Sequence, residues 1–151
     1  MGNHQTHGLQ PQVVTSLKKE TGFTNGEISD LYRQFRMDNK DLYMTVNQIN
    51  DMYKGVFPHG NPEQFGERVF ATFDKRSKGK VDFHEFLSIL SIQLKGNVKS
   101  KYEWVFDVID FKKTGNARRD DVLHVITVSS SFLPISFRIA DCLLAQYNHN
   151  R

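Results

Sequence analysis

Between Phe73 and Phe86 the chain reads Asp74-Lys75-Arg76-Ser77-Lys78-Gly79-Lys80-Val81-Asp82-Phe83-His84-Glu85. Carboxylates stand at the first, ninth and twelfth places, a glycine at the sixth and an apolar residue at the eighth. These are the residue types that wrap a backbone around a hard cation. Such a loop brings oxygens from positions 1, 3, 5, 7, 9 and 12, turns sharply at the glycine, and closes with a Glu that gives two oxygens to Ca²⁺. Asp74, Asp82 and Glu85 are therefore candidate metal ligands. The outline returns 36 residues later over Asp110–Asp121, with Asp110, Thr114, Asn116 and Asp121 as a weaker candidate set. A fainter copy runs from Met37 to Gln48 with Met44 at its eighth place, so the chain carries an internal repeat.

Each copy departs from the pattern it outlines. The first loop (37–48) has Met37, Leu42 and Gln48 at positions 1, 6 and 12. In the second (74–85), positions 3 and 5 are Arg76 and Lys78, and three carboxylates face Lys75, Arg76, Lys78 and Lys80, for a net charge of +1. Two like charges about 4 Å apart at an effective dielectric of 20 repel by roughly 4 kcal/mol, whereas micromolar binding is worth only about 8 kcal/mol in total. The third loop (110–121) places Lys112 at position 3, Arg118 at position 9 and the shorter Asp121 at position 12, again with a net charge of +1. Calcium is thus expected at low affinity or not at all. The Lys and Arg side chains beside Asp74 and Asp110 are expected to pair with the loop carboxylates in the ion's place, each exposed pair contributing about 0–1 kcal/mol.

Helices must position these loops. Ile28, Leu31, Tyr32 and Phe35 recur at helical spacing, and Thr24 with Glu27 forms a capping box for a helix over about 25–36. Asn61-Pro62 reads as an N-cap followed by proline in the first turn, opening a helix with Phe65, Val69, Phe70 and Phe73 on one stripe. Phe83, Phe86, Leu87 and Leu90 define a helix ending near Lys95-Gly96. Tyr102, Val105, Phe106 and Ile109 define another, and Val122, Leu123, Val125 and Ile126 one more. These stripes also serve to pack a core. After Ser129-Ser130-Ser131 and Pro134, residues Ile139, Ala140, Leu143, Leu144 and Tyr147 outline a short amphipathic tail helix.

Composition narrows the function classes. The 151 residues suit one ordinary domain or two small lobes, with 38% hydrophobic and 25% charged residues. Cys142, the single cysteine, excludes an internal disulfide and a cysteine zinc site. No Gly-x-Ser-x-Gly elbow and no spaced histidine set is present, so an enzyme is not expected. The pI of about 9.0 tilts toward anionic partners, but Lys and Arg are spread along the chain, which argues against nucleic acid. Met1-Gly2 with Thr6 matches the N-myristoylation pattern at Gly2. A single acyl chain holds only marginally to a bilayer, and Lys18 and Lys19 are the nearest second signal.

The chain resembles the neuronal calcium sensor family of EF-hand proteins. Met1-Gly2, Phe23-Thr24, Leu31-Tyr32-Arg33-Gln34-Phe35, Phe57-Pro58-His59-Gly60-Asn61-Pro62, Asp82-Phe83-His84-Glu85-Phe86-Leu87 and Trp104-Val105-Phe106 carry the likeness, which covers about residues 1–128. The resemblance implies an all-α fold of paired EF-hand helix–loop–helix units with short loop-to-loop β pairing, Met44 against Val81, plus a C-terminal tail helix. It divides the chain into an N-terminal arm (1–22), an EF-hand pair (23–93), a degenerate third EF-hand (98–128) and a divergent tail (129–151). The fourth EF-hand of the family is missing, so Ala117 lacks a pairing partner. The tail helix then folds back on the third unit, fills the groove or mediates dimerisation. The resemblance further implies a hydrophobic groove that takes a helix of a target protein (a channel, kinase or cyclase). Tyr32, Phe35, Ile49, Tyr53, Phe57, Phe70, Phe86 and Leu90 align with that groove. The expected location is cytoplasmic, peripheral at membranes through the myristoyl group. The expected role is regulatory, with a calcium switch working through the second loop as the alternative.

Overall fold

The computed structural model describes residues 8–54 and 62–123, without the side chains of 52–54 and 62–63. Gly2, Phe57 and the tail residues Ile139, Leu143 and Tyr147 lie outside the described residues, as does the side chain of Tyr53.

The segment expected as an arm is largely a helix, α1 (Pro11–Thr21). Proline fixes φ and lacks an N–H, which suits a first turn. Gly22 closes α1 with a left-handed φ of 73°, its N–H donating to the Lys18 carbonyl. Leu17, 1% exposed, anchors α1 against α2 (Asn25–Asp38) and α5 (Phe83–Lys95). His84 Nε2 and Glu20 Oε2, 2.7 Å apart, join α1 to α5 at the surface.

The Thr24–Glu27 capping box starts α2 as expected. Thr24 Oγ1 accepts from the Glu27 N–H at 3.2 Å, and Glu27 Oε2 accepts from the Thr24 N–H at 2.7 Å. α3 (Val46–Lys54) packs on α4 (Pro62–Phe73), and α6 (Val98–Ile109) crosses α4 and α5. The chain is helical again over 119–123. Gly96 follows α5 at φ −66°, not in the left-handed form expected of a helix-ending glycine. A Cβ there would run into the Ile92 carbonyl, so close approach is what requires glycine.

The expected loop-to-loop pairing is present. Met44 and Val81 form an antiparallel bridge with N–H to carbonyl bonds of 2.8 and 2.9 Å. Ala117 is exposed and makes no such bridge among the described residues.

Beneath the bridge lies an aromatic core. Phe83 meets Tyr32 edge-on at 5.0 Å and Phe35 at 5.5 Å, while Phe86 lies against Phe35 and stacks on Phe73 at 6.3 Å. Each such pair adds about 0.5–1.5 kcal/mol beyond its buried area. Phe65, Phe73, Ile28, Ile49, Leu87 and Val81 are fully buried around them. α6 joins this core through Trp104, whose indole N–H donates to Thr72 Oγ1 at 2.9 Å.

Candidate functional site

The three loops hold their carboxylates and amides in three different ways. In the first, neutral amides close the loop. Gln48 Nε2 donates to Asn39 Oδ1 at 2.6 Å, and Gln48 Oε1 accepts from the Thr45 N–H at 2.7 Å. Asn39, 3% exposed, also donates to the Phe35 carbonyl. Leu42 takes the glycine place with a left-handed φ of 63°. Met37, at position 1, turns out to solvent.

The second loop keeps the backbone of a metal loop. Gly79, at position 6, has φ 75°, and Ser77, at position 4, has φ 52°. Asp74 accepts from the N–H groups of Lys78 at 2.9 Å and Gly79 at 2.6 Å, which pins the turn. Asp82 caps α5 reciprocally with Glu85: Asp82 Oδ1 accepts from the Glu85 N–H and Glu85 Oε2 from the Asp82 N–H.

The four cations of this loop then divide. Lys80 lies over the Tyr43 ring at 4.0 Å, and Lys75 is exposed. Arg76 and Lys78 reach the loop's own carboxylates, Arg76 with most of its side chain still in solvent. Arg76 Nη2 reaches Asp82 Oδ2 at 3.0 Å and its Nε reaches Glu85 Oε1 at 3.3 Å. Lys78 Nζ lies 3.4 Å from Asp82 Oδ2 and 3.1 Å from Glu85 Oε2. The cations beside Asp74 thus pair with loop carboxylates as expected, on Asp82 and Glu85, while Asp74 is taken by backbone donors.

Burial pushes the Asp82 carboxyl up, but the Glu85 N–H, Lys78 and Arg76 outweigh it and hold it below the usual carboxylate range. Burial likewise works against the charge of Lys78, and Glu85 and Asp82 reverse the direction and raise it.

The third loop binds its end to another helix. Arg68 of α4 donates through Nη2 to Asp121 at 2.7 Å and through Nη1 to the Ile109 carbonyl at 2.9 Å, while its guanidinium covers Phe111 at 4.3 Å. That bond holds the Asp121 carboxyl low. Asp110 takes the N–H groups of Thr114 at 2.9 Å and Gly115 at 2.7 Å and the Thr114 hydroxyl at 2.8 Å, and these hold it low as well. Asn116 is exposed and contributes its carbonyl to Thr114.

These arrangements bear on the metal that the loop outline implies. Asp82 and Glu85 are brought together in the second loop, with two cations between them and solvent. Asp110 and Thr114 meet in the third, but Asp121 is engaged by Arg68. Among the described residues no group of three His, Cys, Asp or Glu is placed to hold a metal ion. As arranged, the donor set does not fit Ca²⁺, because positions 3 and 5 of the second loop present hydrogen-bond donors where oxygens are needed.

Of the groove residues, Tyr32 and Phe35 line an apolar cleft of about 310 Å³ between α1, α2 and the start of α5, with Leu9, Val13, Leu42 and Phe83. Ile49, Phe70, Phe86 and Leu90 are buried in the core. Sequence reasoning missed Arg68 and Asn39. Arg68 is 53 residues from Asp121 and carries no local signal. Asn39 sits at loop position 3, where an amide facing Gln48 was a readable pairing.

No family model matches the chain. It is 28% identical to visinin of Gallus gallus over 139 residues, covering 92% of this chain and 72% of visinin. It is 36% identical to neuronal calcium sensor 1 of Lymnaea stagnalis over 118 residues, 78% of this chain and 62% of that protein. It is 28% identical to recoverin of Homo sapiens over 126 residues, 83% of this chain and 63% of recoverin. The chain thus spans about two thirds of the length of these relatives.

Proposed function

We propose that this chain is a divergent member of the neuronal calcium sensor family of EF-hand proteins, and that it is a non-catalytic regulatory protein that binds a target helix with weak or no dependence on calcium. The observation that carries the reading is the pairing of Arg76 and Lys78 with Asp82 and Glu85. A switch needs an ion that binds two conformations differently. Here the carboxylates that would make the difference are already neutralised, which favours a standing adaptor over a calcium switch.

The target is a helix of a channel, kinase or cyclase that lays an apolar stripe into a cleft, the helix-in-groove mode. The cleft at Tyr32 and Phe35 supplies apolar walls, with Asp41, Asp82 and His84 as its polar members. The membrane is the second partner, through a myristoyl group on Gly2 and the exposed Lys18 and Lys19 in the last turn of α1. A protein so anchored is cytoplasmic and peripheral. No described helix is long and apolar enough to cross a membrane.

The test is a labelled amphipathic Leu/Lys helical peptide titrated with the protein in chelator and in millimolar calcium. Equal affinity in both, weakened by Tyr32→Ala, is the expected result. A gain of about tenfold or more on adding calcium, equivalent to about 1.4 kcal/mol, would restore the switch.

A further inference from the structure

The second loop pairs a retained metal-loop backbone with a donor set that refuses the metal. Gly79 keeps φ 75°, Asp74 still gathers the N–H groups of Lys78 and Gly79, and Asp82 and Glu85 still cap α5 from positions 9 and 12. Glu85 is 7% exposed, so its charge is held largely out of water. A buried carboxylate requires a compensating charge. Two are supplied from within the loop, one guanidinium and one ammonium, each touching both Asp82 and Glu85 at 3.0–3.4 Å. Together they bring the two positive charges that a divalent ion would bring, from positions 3 and 5, where that ion's oxygens would come from.

We propose that Arg76 and Lys78 are the resident cations of a latent calcium site: they hold the second loop closed in the absence of metal, and they are what prevents the loop from binding it. This rests on the calcium-independent reading above and adds its cause. The left-handed turn at Gly79 and the paired carboxylates of Asp82 and Glu85 remain at positions 6, 9 and 12, with Asp74 at position 1 holding the turn. Replacing the two cations with oxygen donors supplies the oxygens missing at positions 3 and 5.

The experiment uses the full chain as wild type, as Arg76→Asp/Lys78→Asp, and as that double variant with Glu85→Gln added. Calcium binding is read by calorimetry and stability by thermal unfolding in chelator. The double variant is expected to bind Ca²⁺ at about 10⁻⁵ M or tighter, the range of sensor loops, against weaker than about 10⁻³ M for wild type. Adding Glu85→Gln is expected to remove the gain, which assigns it to this loop. In chelator the double variant melts lower than wild type, and calcium restores it; a variant that folds only with calcium supports the proposal equally.

If the double variant does not fold in either condition, Arg76→Gln/Lys78→Met is measured instead. A fall in Tm of about 2–4 °C in chelator is expected for a chain of this size. An unchanged Tm overturns the proposal, as does a folded double variant that gains no calcium affinity. Failure here leaves the peptide test of target binding unaffected, because that test requires only an open cleft.

Discussion

At the scale of single residues, the three loops are held together by three different sets of side-chain contacts. Gln48 and Asn39 hold with amides, Arg76 and Lys78 with charge, and Arg68 by drawing Asp121 to a neighbouring helix. Charge placement has a pH consequence. Asp82, Asp110 and Asp121 all lie below the usual carboxylate range. A depressed folded pKa contributes stability that is complete above the unfolded value, about 3.9, and is lost as pH falls through the folded value. Lys78, raised, contributes below its unfolded value of about 10.4 and loses that contribution at higher pH. Urea midpoints should therefore hold level from pH 5 to 9 as far as these groups are concerned and fall below about pH 4. The Arg68 contacts give a second test. Arg68→Met frees Asp121, uncovers Phe111 and leaves the Ile109 carbonyl without its donor, so a lower Tm with a red-shifted Trp104 emission is expected. Wild-type emission in that variant would show that the latch does not hold the third unit.

At the scale of elements, local chemistry and core packing carry measurable weights. Thr24→Ala removes one side of the α2 capping box and should cost about 0.5–2 kcal/mol. Phe73→Ala opens a cavity beside Phe86 in the fully buried core and should cost about 3–5 kcal/mol in denaturant unfolding. Both sites were legible in the sequence, since a Thr-x-x-Glu box and a Phe stripe are local patterns. The Met44–Val81 bridge was legible through the family resemblance, which pairs the eighth places of two loops. The helix α1 was not legible, because Lys18 and Lys19 stand out as charges while Pro11, Val13, Val14 and Leu17 form only a short apolar stripe. Gly96 misleads for a similar reason: helix-ending glycines are read as left-handed, and this one serves a close approach to Ile92. The grip of Arg68 on Asp121 was invisible, because a contact between residues 53 positions apart depends on how α4 meets the third loop.

At the scale of the whole molecule, four of the six groove-aligned residues whose side chains are described are spent on cohesion. Ile49, Phe70, Phe86 and Leu90 are core, while Tyr32 and Phe35 line the apolar cleft bounded by α1. In the proposed reading target binding is tied to α1, whose Lys18 and Lys19 are exposed. Each basic residue near such a surface is worth about 1 kcal/mol. Acylated protein should therefore sediment with phosphatidylserine vesicles and Gly2→Ala should not, while Lys18→Gln/Lys19→Gln should weaken binding most at low salt. Equal sedimentation of the Gly2→Ala form would remove the acyl anchor from the account.

The central claim is that this protein holds its fold and its cleft without calcium. The most direct measurement is a calcium titration of the full chain by calorimetry with Trp104 fluorescence followed in parallel, since the buried indole bonded to Thr72 reports any parting of α6 from α4. The account predicts no binding heat and no change in emission up to about 10⁻³ M calcium. A micromolar isotherm accompanied by a Trp104 shift would contradict it and make the chain a calcium switch.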